Sequence, residues 1–136
     1  MKNIKELKVK FDTMLAIGIG GFIGAILRAY TAGVVNSAIK HDIPFGTLSV
    51  NLIGSFLLGI FIGAIQYGVI QNPYLKSLLT TGMMGAFTTF STFAVESFFL
   101  FKNGLIIQGL SYILLNVVGS ILFAGAGFKG VEAMLK

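Results

Sequence analysis

The sequence predicts an all-α membrane protein with four transmembrane helices, the third of which is broken. Hydrophobic residues make up 55% of the 136 residues and charged residues only 11%, and this composition is typical of integral membrane proteins. Four apolar segments lie between charged or turn residues, and each is long enough to supply the roughly 20 residues that cross a bilayer. The third segment contains a stretch rich in glycine and hydroxyl residues, which a lipid-exposed helix does not need.

The four spans are expected within one domain that covers the whole chain. Their limits are set by the charges and by Pro44 and Pro73, and we place them at about residues 13–35, 44–70, 76–101 and 105–128. The lysine-rich segment 1–12 and the apolar run after it resemble a signal peptide, but no cleavage pattern follows, so we expect a retained first helix. Seven of the ten basic residues fall on the side that holds both termini, and this asymmetry favours cytoplasmic termini.

The first span carries a close-packing motif and a basic residue. Gly20 and Gly24 form a small-xxx-small pair, which allows close approach of another helix. Arg28 is expected near the end of the span, where it either extends its side chain to the interface or makes a fixed contact that anchors the helix or attracts anions to a vestibule. The lone His41 lies in a connection and is expected to be solvated.

Polar residues recur at helical spacing in the second and fourth spans. Asn51, Ser55 and two glycines follow every fourth position in the second span, so they share one face. An unpaired amide in hydrocarbon is costly, and Asn51 is therefore expected to face the bundle interior. Spacing alone leaves open whether it contacts a partner helix or a permeant ion. A second polar stripe on the fourth span is formed by Tyr112, Asn116 and Ser120.

The third span contains the stretch GMMGAFTTFSTF at residues 82–93. Glycine weakens a helix, and threonine and serine offer the backbone competing hydrogen bonds, so a local break is plausible here. Non-helical backbone at this depth must be covered by protein or line an aqueous cavity, which indicates an ion or solute site. A small-residue packing surface between helices remains the alternative. Phe90 and Phe93 share a face beyond the break, followed by Glu96, the only acid in any span.

Composition also excludes several classes of function. The chain has no cysteine, which removes disulfides, thiolate catalysis and most metal sites. The net charge of +5 lies mainly in tails and connections, where it sets membrane topology, so we expect no nucleic-acid binding. Nothing in the sequence indicates an enzyme.

Three blocks of the sequence resemble the small four-helix fluoride channels known as the Fluc or CrcB family. The blocks are GGFIGAILR at residues 20–28, FGTLSVNLIGSF at residues 45–56 and the stretch at residues 82–93. They occur in the order of the family, and the resemblance covers nearly the whole chain. Tyr30 departs from the family pattern because it comes one residue later after Arg28 than is usual, so no role is carried onto it.

The resemblance implies a fluoride-selective channel for passive fluoride export and resistance to fluoride toxicity. It further implies an antiparallel, dual-topology homodimer in the inner (plasma) membrane of a prokaryotic cell, with fluoride pores along the subunit interface and a structural Na⁺ ion at the centre. Some members of the family are instead fixed-orientation pairs of related chains, and the lysine asymmetry leaves that arrangement open.

The resemblance also implies roles for individual residues. The pore phenylalanines correspond to Phe90 and Phe93, and the pore asparagine corresponds to Asn51. The polar route beside them is implied to contain Tyr112, Ser120, Thr47, Glu96 and, less directly, Asn116. The sodium ligands are implied to be the backbone carbonyls of Gly85 and Thr88, exposed by a break over residues 85–88.

Two other functions remain open on the sequence alone. A small proton-coupled drug exporter also has four spans and paired subunits, and it requires a membrane carboxylate in its cavity, for which only Glu96 is available. A non-transporting membrane subunit would use its glycine-rich faces for packing alone.

Overall fold

The computed structural model describes residues 10–136, and helices form almost all of that part of the chain. The first two helices are α1 (Phe11–Ala38) and α2 (Phe45–Gln66). The next three elements follow without interruption: α3 (Pro73–Ser77), a π-helical segment (Leu78–Met84) and α4 (Gly85–Phe87). The last two helices are α5 (Phe90–Lys102) and α6 (Ile106–Leu135).

Four helical stretches of residues 10–136 are long and apolar enough to cross a membrane. They are Phe11–Ala38, Phe45–Gln66, Pro73–Lys102 and Ile106–Leu135. The third contains the bend between α4 and α5. The predicted all-helical class, with four candidate spanning helices and an irregular third, is therefore confirmed.

Several helix limits differ from those expected from the apolar runs. The second helix ends at Gln66 rather than near residue 70, because Gly68 adopts a φ of 74° that an α-helix cannot continue. The fourth continues past residue 128 to Leu135, since a helix that leaves the bilayer tolerates charged residues. Charge marks the edge of the apolar run, whereas backbone conformation marks the end of the helix.

The third span is irregular in two places. The π-helical segment Leu78–Met84 comes first, and the helical backbone then stops after Phe87. Thr88 and Thr89 are extended, with φ/ψ of −83°/157° and −149°/116° respectively. Gly85 is still helical, so the break occupies only the last part of the interval expected from the sequence and continues one residue beyond it.

Glycine allows α1 to pack directly on the backbone of the third span. A Cβ atom at Gly20 would collide with the carbonyl oxygen of Leu78, and one at Gly24 would collide with that of Met83. Gly82 faces α1 in return, beside the carbonyl of Ile17. The small-xxx-small pair of α1 therefore holds the π-helical segment at backbone contact distance, which dispersion favours in a membrane.

Large apolar side chains remain exposed on the outside of the bundle. Examples are Phe22 of α1, Phe90 of α5 and Ile121 of α6. In water such a surface would be a binding patch or an aggregation hazard. Around spanning helices, however, the same surface is solvated by lipid or covered by another protein chain.

Gly24→Ala is predicted to lower the unfolding temperature of the detergent-solubilised protein. The new methyl group has no space beside the Met83 carbonyl, and overpacking of this kind costs about 1–3 kcal/mol. The matched control is Gly18→Ala on the same helix, because a Cβ atom at Gly18 meets nothing within 4 Å. An unfolding temperature in Gly24→Ala equal to that of the control would contradict the close contact.

Candidate functional site

The side chain of Asn51 holds the break in the third span. Its Oδ1 accepts the backbone N–H of Thr89 at 2.8 Å, and its Nδ2 donates to the Thr89 carbonyl at 3.1 Å. Both partners are buried. Backbone groups that leave a helix within a membrane need replacement partners, and one amide supplies both of them here. The expectation that Asn51 faces the interior agrees with this placement.

The same arrangement removes the helical partners of two backbone carbonyls. An uninterrupted α-helix would direct the Thr89 N–H to the carbonyl of Gly85, but that N–H is bonded to Asn51. The N–H of Thr92 is bonded at 3.3 Å to the hydroxyl of Thr89, which caps α5, so the carbonyl of Thr88 also lacks its helical donor. Carbonyl oxygens are thus released on both sides of the bend.

A second polar cluster joins α2, α5 and α6 around Glu96. One carboxylate oxygen of Glu96 accepts the hydroxyl of Thr47 at 3.0 Å, and the other accepts the Tyr112 hydroxyl at 2.6 Å. Tyr112 is completely buried and Thr47 is nearly so. Two hydroxyl donors therefore satisfy Glu96, which the sequence analysis identified as the acid within a span.

Asn116 connects this cluster to the break. Its Nδ2 donates to the Tyr112 carbonyl one turn earlier in α6 at 3.0 Å, and its Oδ1 accepts from Asn51 Nδ2 at 2.9 Å. The two predicted polar stripes of α2 and α6 thus meet at their asparagines. The contacts form a continuous network from the half-buried Glu96 through the buried Tyr112, Asn116 and Asn51 to Thr89.

The two phenylalanines after the break have different surroundings. Phe93 is 7% exposed and packs in a core cluster with Leu48, Leu100 and Tyr112. Phe90 is 77% exposed, and its ring meets that of Phe93 edge to face, with centroids 5.5 Å apart and planes at 65°. The rings are adjacent as their spacing predicts, although only one of them is inside the bundle.

A groove of about 310 Å³ brings most of the predicted site residues together at the break. Its lining includes the following polar and aromatic residues: Asn51, Ser55, Thr88, Thr89, Phe90, Phe93, Asn116 and Ser120. Thr47, Glu96, Tyr112 and Gly85 do not line the groove; the first three form the polar cluster around Glu96. Ser55 also lines the groove, although the sequence analysis assigns it to the Asn51 stripe and not to the site. Its position one helical turn after Asn51 is the sequence feature that indicates a place in the groove.

Arg28 does not line the groove. The sequence placed it near the end of the first span, but α1 continues to Ala38, ten residues further and about 15 Å along the axis. Arg28 is half-buried, follows Gly20 and Gly24 on the same helical stripe, and makes no ion pair within residues 10–136. Its predicted anchoring or vestibule role stays a prediction.

Four candidate spanning helices, a broken third span and an uncharged groove at the break, lined by both polar and apolar side chains, define a small polytopic helical membrane protein. Comparison with known proteins assigns its family. A model described as "CrcB-like protein, Camphor Resistance (CrcB)" matches residues 15–128, and the chain belongs to the CrcB family.

The relatives include proteins from several organisms that are each named "Fluoride-specific ion channel FluC". One from Nautilia profundicola is 87% identical over 94% of this chain and 100% of its own length. One from Sulfurimonas denitrificans is 52% identical over 94% of this chain and 99% of its own length. One from Methanocaldococcus jannaschii is 46% identical over 84% of this chain and 90% of its own length. The family is one of ion channels and not of enzymes, which confirms the resemblance seen in the three sequence blocks.

Tyr112→Phe is predicted to destabilise the protein, because it leaves one oxygen of the half-buried Glu96 carboxylate without its hydroxyl donor. Loss of one partner of a buried hydrogen bond costs about 1–3 kcal/mol, and thermal unfolding in detergent measures the change. Tyr30→Phe is the matched control because that hydroxyl belongs to a side chain that is 71% exposed. Equal unfolding temperatures in the two variants would contradict the contribution of the Glu96 cluster.

Proposed function

We propose that the chain is a fluoride-selective channel through which fluoride leaves the cell passively, giving resistance to fluoride toxicity. Its relatives, which are up to 87% identical among those described above, carry the name of a fluoride-specific ion channel. The structural observation that supports the proposal most is the groove at the break. It offers hydroxyl, amide and aromatic edge groups, and no charged side chain is among the described residues that line it.

These groups suit a small, strongly hydrated anion. A pore must replace the water around such an ion with other hydrogen-bond donors, and amides and hydroxyls such as those of Asn116 and Ser120 are donors. The edge of an aromatic ring carries a partial positive charge, so Phe90 and Phe93 can face an anion edge-on. Because no full positive charge is present in the groove, binding stays weak enough for the ion to move on. Thr47, Glu96 and Tyr112 extend the polar route beyond the groove.

The open side of the groove supports pairing with a second chain. Phe90 is 77% exposed, and the polar groups beside it are costly to place against lipid tails. A second copy of the chain in antiparallel orientation would cover this side and supply another groove. A related chain in a fixed-orientation pair would do the same. The assembly is proposed to be a multi-pass protein of the inner (plasma) membrane of a prokaryotic cell.

The released carbonyls support a structural Na⁺ ion at the centre of such a dimer. Gly85 and Thr88 both lose the backbone donor that an unbroken helix would supply. Backbone oxygens are hard ligands that suit a hard monovalent cation, and unwound helices in transporters coordinate Na⁺ in this way. The ion would neutralise the partial negative charge of carbonyls from two breaks and hold the breaks together.

Glu96 keeps a proton-coupled exporter as the second candidate, since it is a carboxylate within a span. Both of its oxygens already accept hydroxyl hydrogen bonds, and it does not line the groove. Purified protein in liposomes distinguishes the candidates. A channel releases fluoride whenever a counter-ion pathway is provided, at a rate independent of an imposed pH gradient. Transport that requires the pH gradient would favour the exporter, and absence of transport would favour a non-transporting subunit.

Phe93→Ile is predicted to reduce fluoride efflux from such liposomes at least tenfold, because it removes the aromatic edge beside the groove while keeping an apolar side chain in the core. Efflux is followed with a fluoride electrode, and size-exclusion chromatography checks assembly. The matched control is Phe98→Ile on the same helix, whose ring is 60% exposed and does not line the groove. Wild-type efflux from a well-assembled Phe93→Ile protein would remove this ring from the pore.

Thr88→Ala is predicted to leave the sodium dependence of the protein unchanged, because the proposed ligand is the main-chain oxygen and not the hydroxyl. The hydroxyl is bonded to the Met84 carbonyl at 3.0 Å. Replacing Na⁺ with N-methyl-D-glucamine should reduce efflux and dimer stability equally in the wild type and in this variant. Loss of sodium dependence in Thr88→Ala alone would contradict ligation by the backbone.

A further inference from the structure

The first turn of α2 is capped by a side chain from another helix. The N–H groups at the start of a helix have no partners within it, and a Ser, Thr, Asp or Asn at the N-cap position usually accepts one of them. In α2 the N-cap position holds Pro44, whose ring has no acceptor atom and makes no capping hydrogen bond. The acceptor is instead Oδ1 of Asn36 in α1, which receives the Gly46 N–H at 2.9 Å.

Asn36 reaches Gly46 because α1 and α2 approach to backbone contact at this point. A Cβ atom at Gly46 would collide with the amide group of Asn36 and with the carbonyl oxygen of Ala32, one turn earlier in α1. Asn36 lies in the last turn of α1, which continues to Ala38. The part of α1 that extends beyond the span expected from the sequence therefore carries the capping residue.

The capped N–H belongs to the residue directly before Thr47. Thr47 is 5% exposed, and its hydroxyl donates to Glu96 of α5 at 3.0 Å. The position of this hydroxyl depends on the helical conformation of the first turn of α2, in which Thr47 is the third residue. Among the described residues, Asn36 is the side chain that accepts an N–H of that turn. The contact between α2 and Glu96 is therefore linked to α1.

We propose that Asn36 is a positioning residue, which caps α2 from α1 and thereby holds the Thr47 hydroxyl against Glu96. This inference rests on the proposed function, in which Thr47 and Glu96 extend the polar route beyond the groove. Asn36 does not line the groove and acts through the backbone of Gly46. Without the cap the first turn of α2 is free to fray, and Glu96 keeps one of its two hydroxyl donors, that of Tyr112.

The first test follows the carboxyl group of Glu96 by nuclear magnetic resonance, in the full chain in detergent micelles. The glutamate side-chain carboxyl carbons are labelled with ¹³C, and the signal that is absent from Glu96→Gln identifies Glu96. Thr47→Val removes the hydroxyl donor and sets the displacement of the signal that this loss causes. Asn36→Leu keeps the approximate size of the side chain but has no acceptor, and it should displace the signal in the same direction.

The matched control is Ser37→Ala, at the next residue of α1. The Ser37 hydroxyl bonds to the Gly33 carbonyl within the same helix at 2.8 Å, so its loss should leave the Glu96 signal in place. A Glu96 signal in Asn36→Leu at the wild-type position would overturn the proposal.

Asn36→Asp is the second variant, and it applies also if Asn36→Leu fails to assemble. A carboxylate oxygen can still accept the Gly46 N–H, and negative charge is favourable at the start of a helix. This variant should keep the Glu96 signal at the wild-type position. Displacement of the signal to its position in Thr47→Val would contradict the role assigned to the cap.

The second test measures fluoride efflux from liposomes that contain the purified protein. Asn36→Leu should lower the rate about fivefold, the factor that corresponds to the loss of a typical N-cap hydrogen bond. In protein that already carries Thr47→Val, Asn36→Leu should lower the unfolding temperature but cause no further loss of efflux, because residues that act through one contact are not additive.

A further fivefold loss of efflux in the double variant would mean that Asn36 does not act through Thr47, and the proposal would be wrong. Absence of efflux from the wild type would instead refute the proposed function, whereas the Glu96 signal would still decide whether Asn36 positions Thr47.

Discussion

The structure depends on one requirement: a helix that is broken inside a membrane must find new partners for its backbone. Thr89 meets this requirement through Asn51, which bonds both its N–H and its carbonyl. In water, solvent molecules would hydrogen-bond to these backbone groups without fixing their conformation. Lipid hydrocarbon offers no hydrogen-bonding partner, so the protein must supply one. The extended conformation of Thr88 and Thr89 is therefore tied to a single side chain on another helix, and the position of α2 relative to the third span becomes part of the site.

The polar network extends this dependence to the rest of the bundle. Asn116 links Asn51 to α6, and Tyr112 links α6 to Glu96 on α5. On the other side, glycines of α1 bring the π-helical segment to backbone contact. The break is thus held by hydrogen bonds on the side of α2 and α6 and by close packing on the side of α1. These two kinds of contact place carbonyls and donors without any charged group in the groove.

The spans, the inward face of Asn51 and the irregular third helix could be predicted from the sequence, because each depends on residues that are close together in the chain. Apolar length predicts the spans, the cost of an unpaired amide predicts that Asn51 faces inward, and glycine with threonine predicts an irregular third helix. The exact position of the break could not be predicted, since it is set by which backbone group Asn51 reaches across to. Likewise, the depth of Arg28 depends on α1 continuing beyond its apolar run, and the pairing of Asn51 with Asn116 depends on the register between α2 and α6.

The π-helical segment makes chain length a constraint in the third span. Each residue of a helix advances the direction of the following side chains by about 100°, and the wider turns of Leu78–Met84 set the orientation at which α4 begins. Exchange of side chains in this segment leaves that orientation in place, except at Gly82, where a Cβ atom would collide with the Ile17 carbonyl of α1. Deleting or inserting a single residue would rotate Gly85 and everything after it away from α2, so we expect related chains to vary here in composition but not in length.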